Sequence, residues 1–370
     1  MKTLIRDLLT IFVLSLGLSH TGIQAQPEQR IVMVLSGYGQ ADEKAPGYEF
    51  DEFSKAYLLF KAHGVAVDIA SPAGGKVVAD NYDPSTLYNQ AVLNDAKVNA
   101  QLANTFAIGS LDANRYQGIF IVGGKGAMFD LPHNNALQQL IANVYQQQGV
   151  IAAVCHGPAA LVNVKLANGN YLVAGKKVNA MTNIEEKLFA KKWLQQFEFM
   201  LEDKLIERGG HFQSSPMMLS HVAVDQRLIT GQNPASTVAV AQALINALGI
   251  KLLPTPDYKD DRTLGMIAGY LAGDQTIPSK LADSPQLYQL ELVGAYGFYF
   301  LDIAVDKDAL LQALVLMQLG EQQINHPKLT LAIAQTQHKL GNTAAARTTL
   351  QRLLVKNPTF EEAQVFLKTL

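Results

Sequence analysis

The chain has 370 residues, 48% apolar and 17% charged, with a formal net charge of −2. That length allows one large domain and a smaller one. The balance excludes a basic nucleic-acid face, a charge-driven membrane binder and a disordered charged tail. The single cysteine, Cys155, excludes an intramolecular disulfide.

Residues 1–25 read as a secretory signal. Lys2 and Arg6 precede an apolar run over 8–18, too short to span a bilayer, and Ile23-Gln24-Ala25 suits cleavage. The expectation is a periplasmic protein with no membrane span after cleavage. An apolar run over 31–35 predicts the first buried strand, ending at Ser36-Gly37. Helical periodicity over 50–62 is stopped by Gly64. A second strand over 65–70 ends at Ser71-Pro72, and a helical stretch covers 91–106. A strand over 118–122 breaks at Gly123-Gly124, a helix covers 135–147, and another buried strand runs into Cys155-His156-Gly157-Pro158.

Strands alternating with helices at this spacing predict an α/β fold whose largely parallel sheet is covered on both faces. Ligands on such sheets bind beyond the C-terminal ends of the strands. Further on, 172–181 reads as a strand pair, 183–208 as a long helical region, and 222–225 with 228–230 as a hairpin. A small-residue helix then closes near Leu248-Gly249. The first domain is expected over 26–250, a Pro- and Asp-rich linker over 251–262, and an all-α region over 263–370. In that region Ala313 and Met317 anticipate Ala346 and Leu350 at a spacing of 33, like tetratricopeptide units, whereas Pro327 and Pro358 are 31 apart. A tetratricopeptide-like pair and a generic helical bundle both fit. A protein partner is the interaction these helices would serve.

A thiol on a sharp strand-to-helix turn gains exposure, nearby amides and the positive end of a helix dipole, which favours thiolate. A buried, inert cysteine is the bland alternative. His156 beside it could exchange a proton with the thiol. The amides of His156 and Gly124 could form an oxyanion hole, with Gly123-Gly124 permitting close backbone approach and Lys125 next to them. Glu52, on the first helix, could reach over the strand ends as a general acid/base with a raised pKa. Glu49 and Asp51 are not distinguished from it by sequence.

Four motifs then act together: Ala153-Val-Cys-His-Gly-Pro-Ala-Ala-Leu161, Gly123-Gly-Lys-Gly-Ala-Met-Phe-Asp-Leu-Pro132, Ser71-Pro-Ala-Gly-Gly75 and Thr230-Gly-Gln-Asn-Pro-Ala-Ser236. In order and spacing they resemble the DJ-1/PfpI branch of the class I glutamine amidotransferase-like superfamily, in particular its glyoxalase III and heat-shock chaperone members. The resemblance covers about residues 30–249 and implies a flavodoxin-like three-layer sandwich. It also implies Cys155 as nucleophile, His156 as its neighbour and Glu52 as the helix carboxylate. Many relatives carry His where Lys125 stands. Where some place an acid to orient the histidine, this chain has Asn183, followed by Glu185 and Glu186; Asn183 and Glu186 are therefore the orienting candidates.

The activity implied is a glyoxalase III-like D-lactate dehydratase acting on a small 2-oxoaldehyde in carbonyl-stress protection. It needs no metal, nucleotide or glutathione, and homodimers are common among such proteins. The competing reading is a stress-response holdase chaperone using the C-terminal helices. A cysteine peptidase and a thiol redox sensor stand behind both.

Overall fold

The computed structural model describes residues 29–39, 46–80 and 82–370. The expected signal at 1–25 lies outside the described residues. Along the chain come β1 (Arg30–Val34), α1 (Phe50–Ala62), β2 (Ala66–Ser71), α2 (Leu87–Leu93), α3 (Ala96–Ala103), β3 (Phe106–Ala107), β4 (Gly118–Ile121), α4 (Ala127–Asp130), α5 (Asn135–Gln146) and β5 (Val150–Val154). There follow β6 (Lys177–Val178), α6 (Asn183–Phe189), α7 (Leu201–Glu207), β7 (His211–Phe212), β8 (Val222–Asp225), β9 (Leu228–Gly231) and α8 (Thr237–Ala247).

Seven strands form one sheet in the order β3-β2-β1-β4-β5-β9-β8. Every pairing in it is parallel except the β8–β9 hairpin at the edge. Because side chains alternate along a strand, β1 feeds two cores at once. Val32 and Val34 point into the layer shared with α5, Ile31 and Met33 into the layer shared with α1 and α8. The unbroken apolar runs of β1, β4 and β5 are the consequence of burial on both faces. This is the flavodoxin-like three-layer arrangement, and it brings the ends of β1, β4 and β5 together at one rim.

Four local expectations change. The stretch 91–106 splits into two helices because Asp95 caps a new start, accepting from the amides of Lys97 and Val98. Phe106 instead begins β3, which pairs with the end of β2 through only two residues, too few to show a period. The supposed strand pair over 172–181 is not a hairpin: β6 pairs in parallel with the distant β7. The long helix over 183–208 is broken after Phe189, where Trp193 and Phe197 turn inward onto Phe129, with ring centroids 6.2 and 5.4 Å away.

Seven helices follow: α9 (Lys259–Leu271), α10 (Ile277–Asp283), α11 (Leu290–Phe300), α12 (Lys307–Ile324), α13 (Pro327–Lys339), α14 (Thr343–Lys356) and α15 (Glu361–Thr369). Helix α9 begins inside the stretch read as linker, with Asp260 and Asp261 in its first turn, where acids favour a helix start. Both acids grip Lys55 of α1, at 2.6 and 2.7 Å, and the Lys55 side chain is only 4% exposed. Beyond this ion pair, Met217 and Leu219 of the α/β part share a core with Ile267 of α9 and Tyr296 of α11. The α-helical region is thus packed onto the sandwich. Among the described residues, no helix is long and apolar enough to cross a membrane.

Candidate active site

Cys155 sits where β5 ends, with φ +61°. That left-handed conformation costs a non-glycine residue on the order of 1 kcal/mol. It is held from both sides: the Cys155 amide donates to the Gly231 carbonyl at 2.9 Å, and its carbonyl accepts from the Met181 amide at 3.0 Å. Gly157 must follow, because a Cβ there would lie 2.5 Å from the Ile121 carbonyl oxygen.

The next element is a five-residue 3-10 helix, Gly157–Leu161, not the α-helix expected from sequence. So short a turn carries little dipole, and the expected drive toward thiolate is weak. Burial, followed by the charges of Glu52 and Glu49, instead pushes the Cys155 thiol well above its ordinary pKa, while the Gly124 amide aimed at the sulfur opposes them.

Glu52 is fully buried on α1. Its Oε2 accepts from the Gly123 amide at 2.7 Å, and its Oε1 is buried with no hydrogen bond of good geometry. Burial, then the Glu49 charge, raises the Glu52 carboxyl well above the ordinary range. Glu52 and Cys155, each raised by burial, therefore compete for a proton. The expectation that Gly123 would help bind an oxyanion is corrected here, since its amide is committed to Glu52. What Gly123 provides is space: a Cβ would lie 2.8 Å from the Cys155 Cβ, Glu52 Oε2 and the Val154 carbonyl. The amides left for an oxyanion are those of Gly124, with φ +94°, and His156, neither of which donates to a backbone carbonyl among the described residues.

His156 Nδ1 lies 3.3 Å from the Cys155 sulfur. Its Nε2 is 3.0 Å from Glu186 Oε1, at angles short of a hydrogen bond, and both side chains are buried. Thiol, imidazole and carboxylate thus form a chain, with the acid coming from α6. Asn183 does not take part. Helix α7 captures it: its amide donates to Glu202 Oε2 and its Nδ2 to Asp203 Oδ1, both at 2.7 Å. Of the two orienting candidates only Glu186 reaches the histidine.

Lys125 borders the site but is paired with Asp80 at 2.9 Å. Burial alone would lower Lys125; the Asp80 carboxylate holds it above the ordinary lysine value. Two neighbours escaped sequence reading. Glu49, half-buried, is raised to about 7 by burial and by Asp51, against the pull of Lys125. Glu185 accepts from the Met218 amide at 2.7 Å, from Asn233 Nδ2 at 2.8 Å and from the Thr182 hydroxyl at 2.8 Å. The capping-box spacing of Thr182 and Glu185 was the available signal for Glu185. Nothing in sequence singles out Glu49 from Asp51.

These groups surround a cavity of about 250 Å³. Glu49, Lys125, Cys155, His156, Glu185 and Asn233 supply polar groups to its lining, and Met181, Phe189, Met218 and Leu264 supply apolar surface. Among the described residues, no group of three or more His, Cys, Asp or Glu could hold a metal ion.

A largely parallel α/β sandwich with a strained cysteine at the end of β5, backed by a buried carboxyl and an adjacent histidine, defines a class of cysteine-centred α/β proteins. Residues 44–247 match the DJ-1/PfpI family, and the chain belongs to that family. It is 31% identical over 237 residues to the glutathione-independent glyoxalase hsp3102 of Schizosaccharomyces pombe, covering 60% of this chain and 99% of that protein. It is 28% identical to glyoxalase 3 of Candida albicans, over 59% of this chain and 98% of that one. Among solved structures, the rapid encystment protein of 24 kDa from Francisella tularensis is 31% identical, with a TM-score of 0.55 over 60% of this chain and 99% of that chain. The crystal structure of glyoxalase III from Candida albicans is 26% identical, with a TM-score of 0.55 over 59% and 97%.

Proposed function

We propose that this protein is a glutathione-independent glyoxalase that converts methylglyoxal-type 2-oxoaldehydes to 2-hydroxy acids such as D-lactate. The observation that carries the reading is the approach of three groups to one sulfur: Glu52 from α1, His156 from the elbow and the Gly124 amide from the end of β4. The named glyoxalases among the relatives supply the substrate class.

The thiol gives its proton to Glu52 or His156 as its sulfur bonds to the aldehyde carbon. The carbonyl oxygen, held by the Gly124 and His156 amides, takes a proton to give a hemithioacetal. A base then removes the hydrogen on that carbon, forming an enediol. Protonation of the neighbouring carbon leaves a thioester of the 2-hydroxy acid. The first carbon has been oxidised and the second reduced, so no outside electron acceptor is needed. Water cleaves the thioester and returns the thiol. Glu52 suits both proton transfers, because burial raises its carboxyl well above the ordinary range and its Oε1 has no well-formed hydrogen bond to hold it in one state.

Cys155→Ala should abolish methylglyoxal consumption in glutathione-free buffer, with lactate followed enzymatically and the fold by circular dichroism. Retained turnover would overturn the reading. Survival of client-protein protection in the same variant would favour a holdase role seated on the C-terminal helices. Export and a role in carbonyl stress are part of the proposal. N-terminal sequencing of the protein from periplasmic extract should start at Gln26.

A further inference from the structure

We propose that the cavity over Cys155 is shaped for 2-oxoaldehydes bearing a bulky apolar group, with Leu264 of the C-terminal helices as a specificity-determining residue. This rests on the glyoxalase reading. A methyl group would leave most of a cavity of about 250 Å³ unfilled. The dicarbonyl end of the substrate must lie at the sulfur, among Glu49, Lys125 and His156. The apolar surface left in the lining for its remaining group comes chiefly from Met181, Phe189, Met218 and Leu264. Apolar walls with a few polar groups at one end are how such cavities fix both binding and orientation.

Two of these wall residues depend on the helical region, beyond the segment matched by the family at 44–247. Leu264 belongs to α9, and the two acids in the turn before it, Asp260 and Asp261, are clamped by buried Lys55. Lys55 lies on α1, the same helix that carries Glu52, so the wall is tied to the catalytic carboxyl through one rigid element. Phe189 is backed edge-on by Tyr299 of α11, centroid to centroid 5.1 Å. A third wall residue is held by strain. Met218 has φ +62°, and its amide is fixed by the buried Glu185 carboxylate. A non-glycine residue stays in that region only when its surroundings determine it. Cys155 and Met218, both left-handed, face the same cavity from opposite parts of the chain.

The test compares kcat/KM for phenylglyoxal and methylglyoxal, without glutathione, in the full-length protein and two variants. Filling an apolar site is worth roughly tenfold or more per suitable group, so phenylglyoxal should be preferred by at least about that factor. Leu264→Ala should raise KM for phenylglyoxal several-fold more than it raises KM for methylglyoxal. Leu264→Phe, which fills the space from the same backbone position, should depress kcat/KM for phenylglyoxal more than kcat/KM for methylglyoxal. Changes in the ratio between variants cancel the differing reactivities of the two aldehydes. A ratio unmoved by both substitutions, with methylglyoxal still consumed, overturns the proposal and leaves the glyoxalase reading intact. Consumption of neither aldehyde by the unsubstituted protein overturns both.

Discussion

The Glu52 carboxyl accepts the Gly123 amide hydrogen at 2.7 Å, so the first helix and the end of the fourth strand meet at a buried acid beside Cys155. One oxygen is spent on orientation. The other, buried and without a well-formed hydrogen bond, is available to a proton in transit.

Glu52→Gln should separate the two functions of that group. A glutamine oxygen can still accept from Gly123, so the fold should persist, but proton transfer is lost and turnover should fall by about 10²–10⁴-fold. Because the Glu52 charge helps raise the Cys155 thiol, its removal should move the pH profile of iodoacetamide alkylation toward lower pH. Slower turnover with easier alkylation is the expected pair of results.

Glu186 and Asn183 make a matched comparison on one helix. Glu186→Gln removes the charge facing His156 Nε2 and permits the wrong imidazole tautomer, so kcat should drop by at least tenfold, with a smaller effect on KM. Asn183→Ala should leave kcat unchanged, since its side chain is engaged by Asp203. Steady-state kinetics on the two variants decides it.

Glu49 gives a pH signature. Burial, then the Asp51 charge, raises its carboxyl from an ordinary 4.5 to about 7 in the folded protein. A carboxyl raised in this way binds its proton more tightly when folded. Its stabilising contribution is therefore complete below about 4.5 and is lost as pH rises through about 7. Glu49→Gln should narrow the fall in Tm between pH 5 and pH 8. It should also flatten the limb near pH 7 in the alkylation of Cys155, whose thiol the Glu49 charge helps to raise.

The Lys55 clamp predicts a stability effect far from the sulfur. Asp260→Asn with Asp261→Asn leaves the buried Lys55 ammonium without a counter-charge, which costs roughly 3–5 kcal/mol when such a charge is fully enclosed. The carboxylates here are 23% exposed, so the loss should fall toward the low end of that range. Urea unfolding measures it, and Lys55→Met in the double variant should restore part of the loss.

The family resemblance, not the local pattern, set Glu52 apart from Glu49 and Asp51. The sequence by itself determined the alternation of strands and helices in the sandwich, the rim where the site lies, and the place of Cys155 and His156 on it. Those features follow from local pattern: apolar runs buried on both faces, glycine breaks, and a cysteine at a turn. Tertiary structure alone decided the rest. It spent the Gly123 amide on Glu52, set Glu186 against His156 while α7 took Asn183, and replaced the expected α-helix after the elbow with a five-residue turn. It also reversed the expected direction of the thiol's pKa, because burial beside two carboxyls outweighs a short helix's dipole. The cavity wall was least legible of all. Met181, Phe189, Met218 and Leu264 lie far apart in the chain, and no periodicity records which distant side chains will share one cavity.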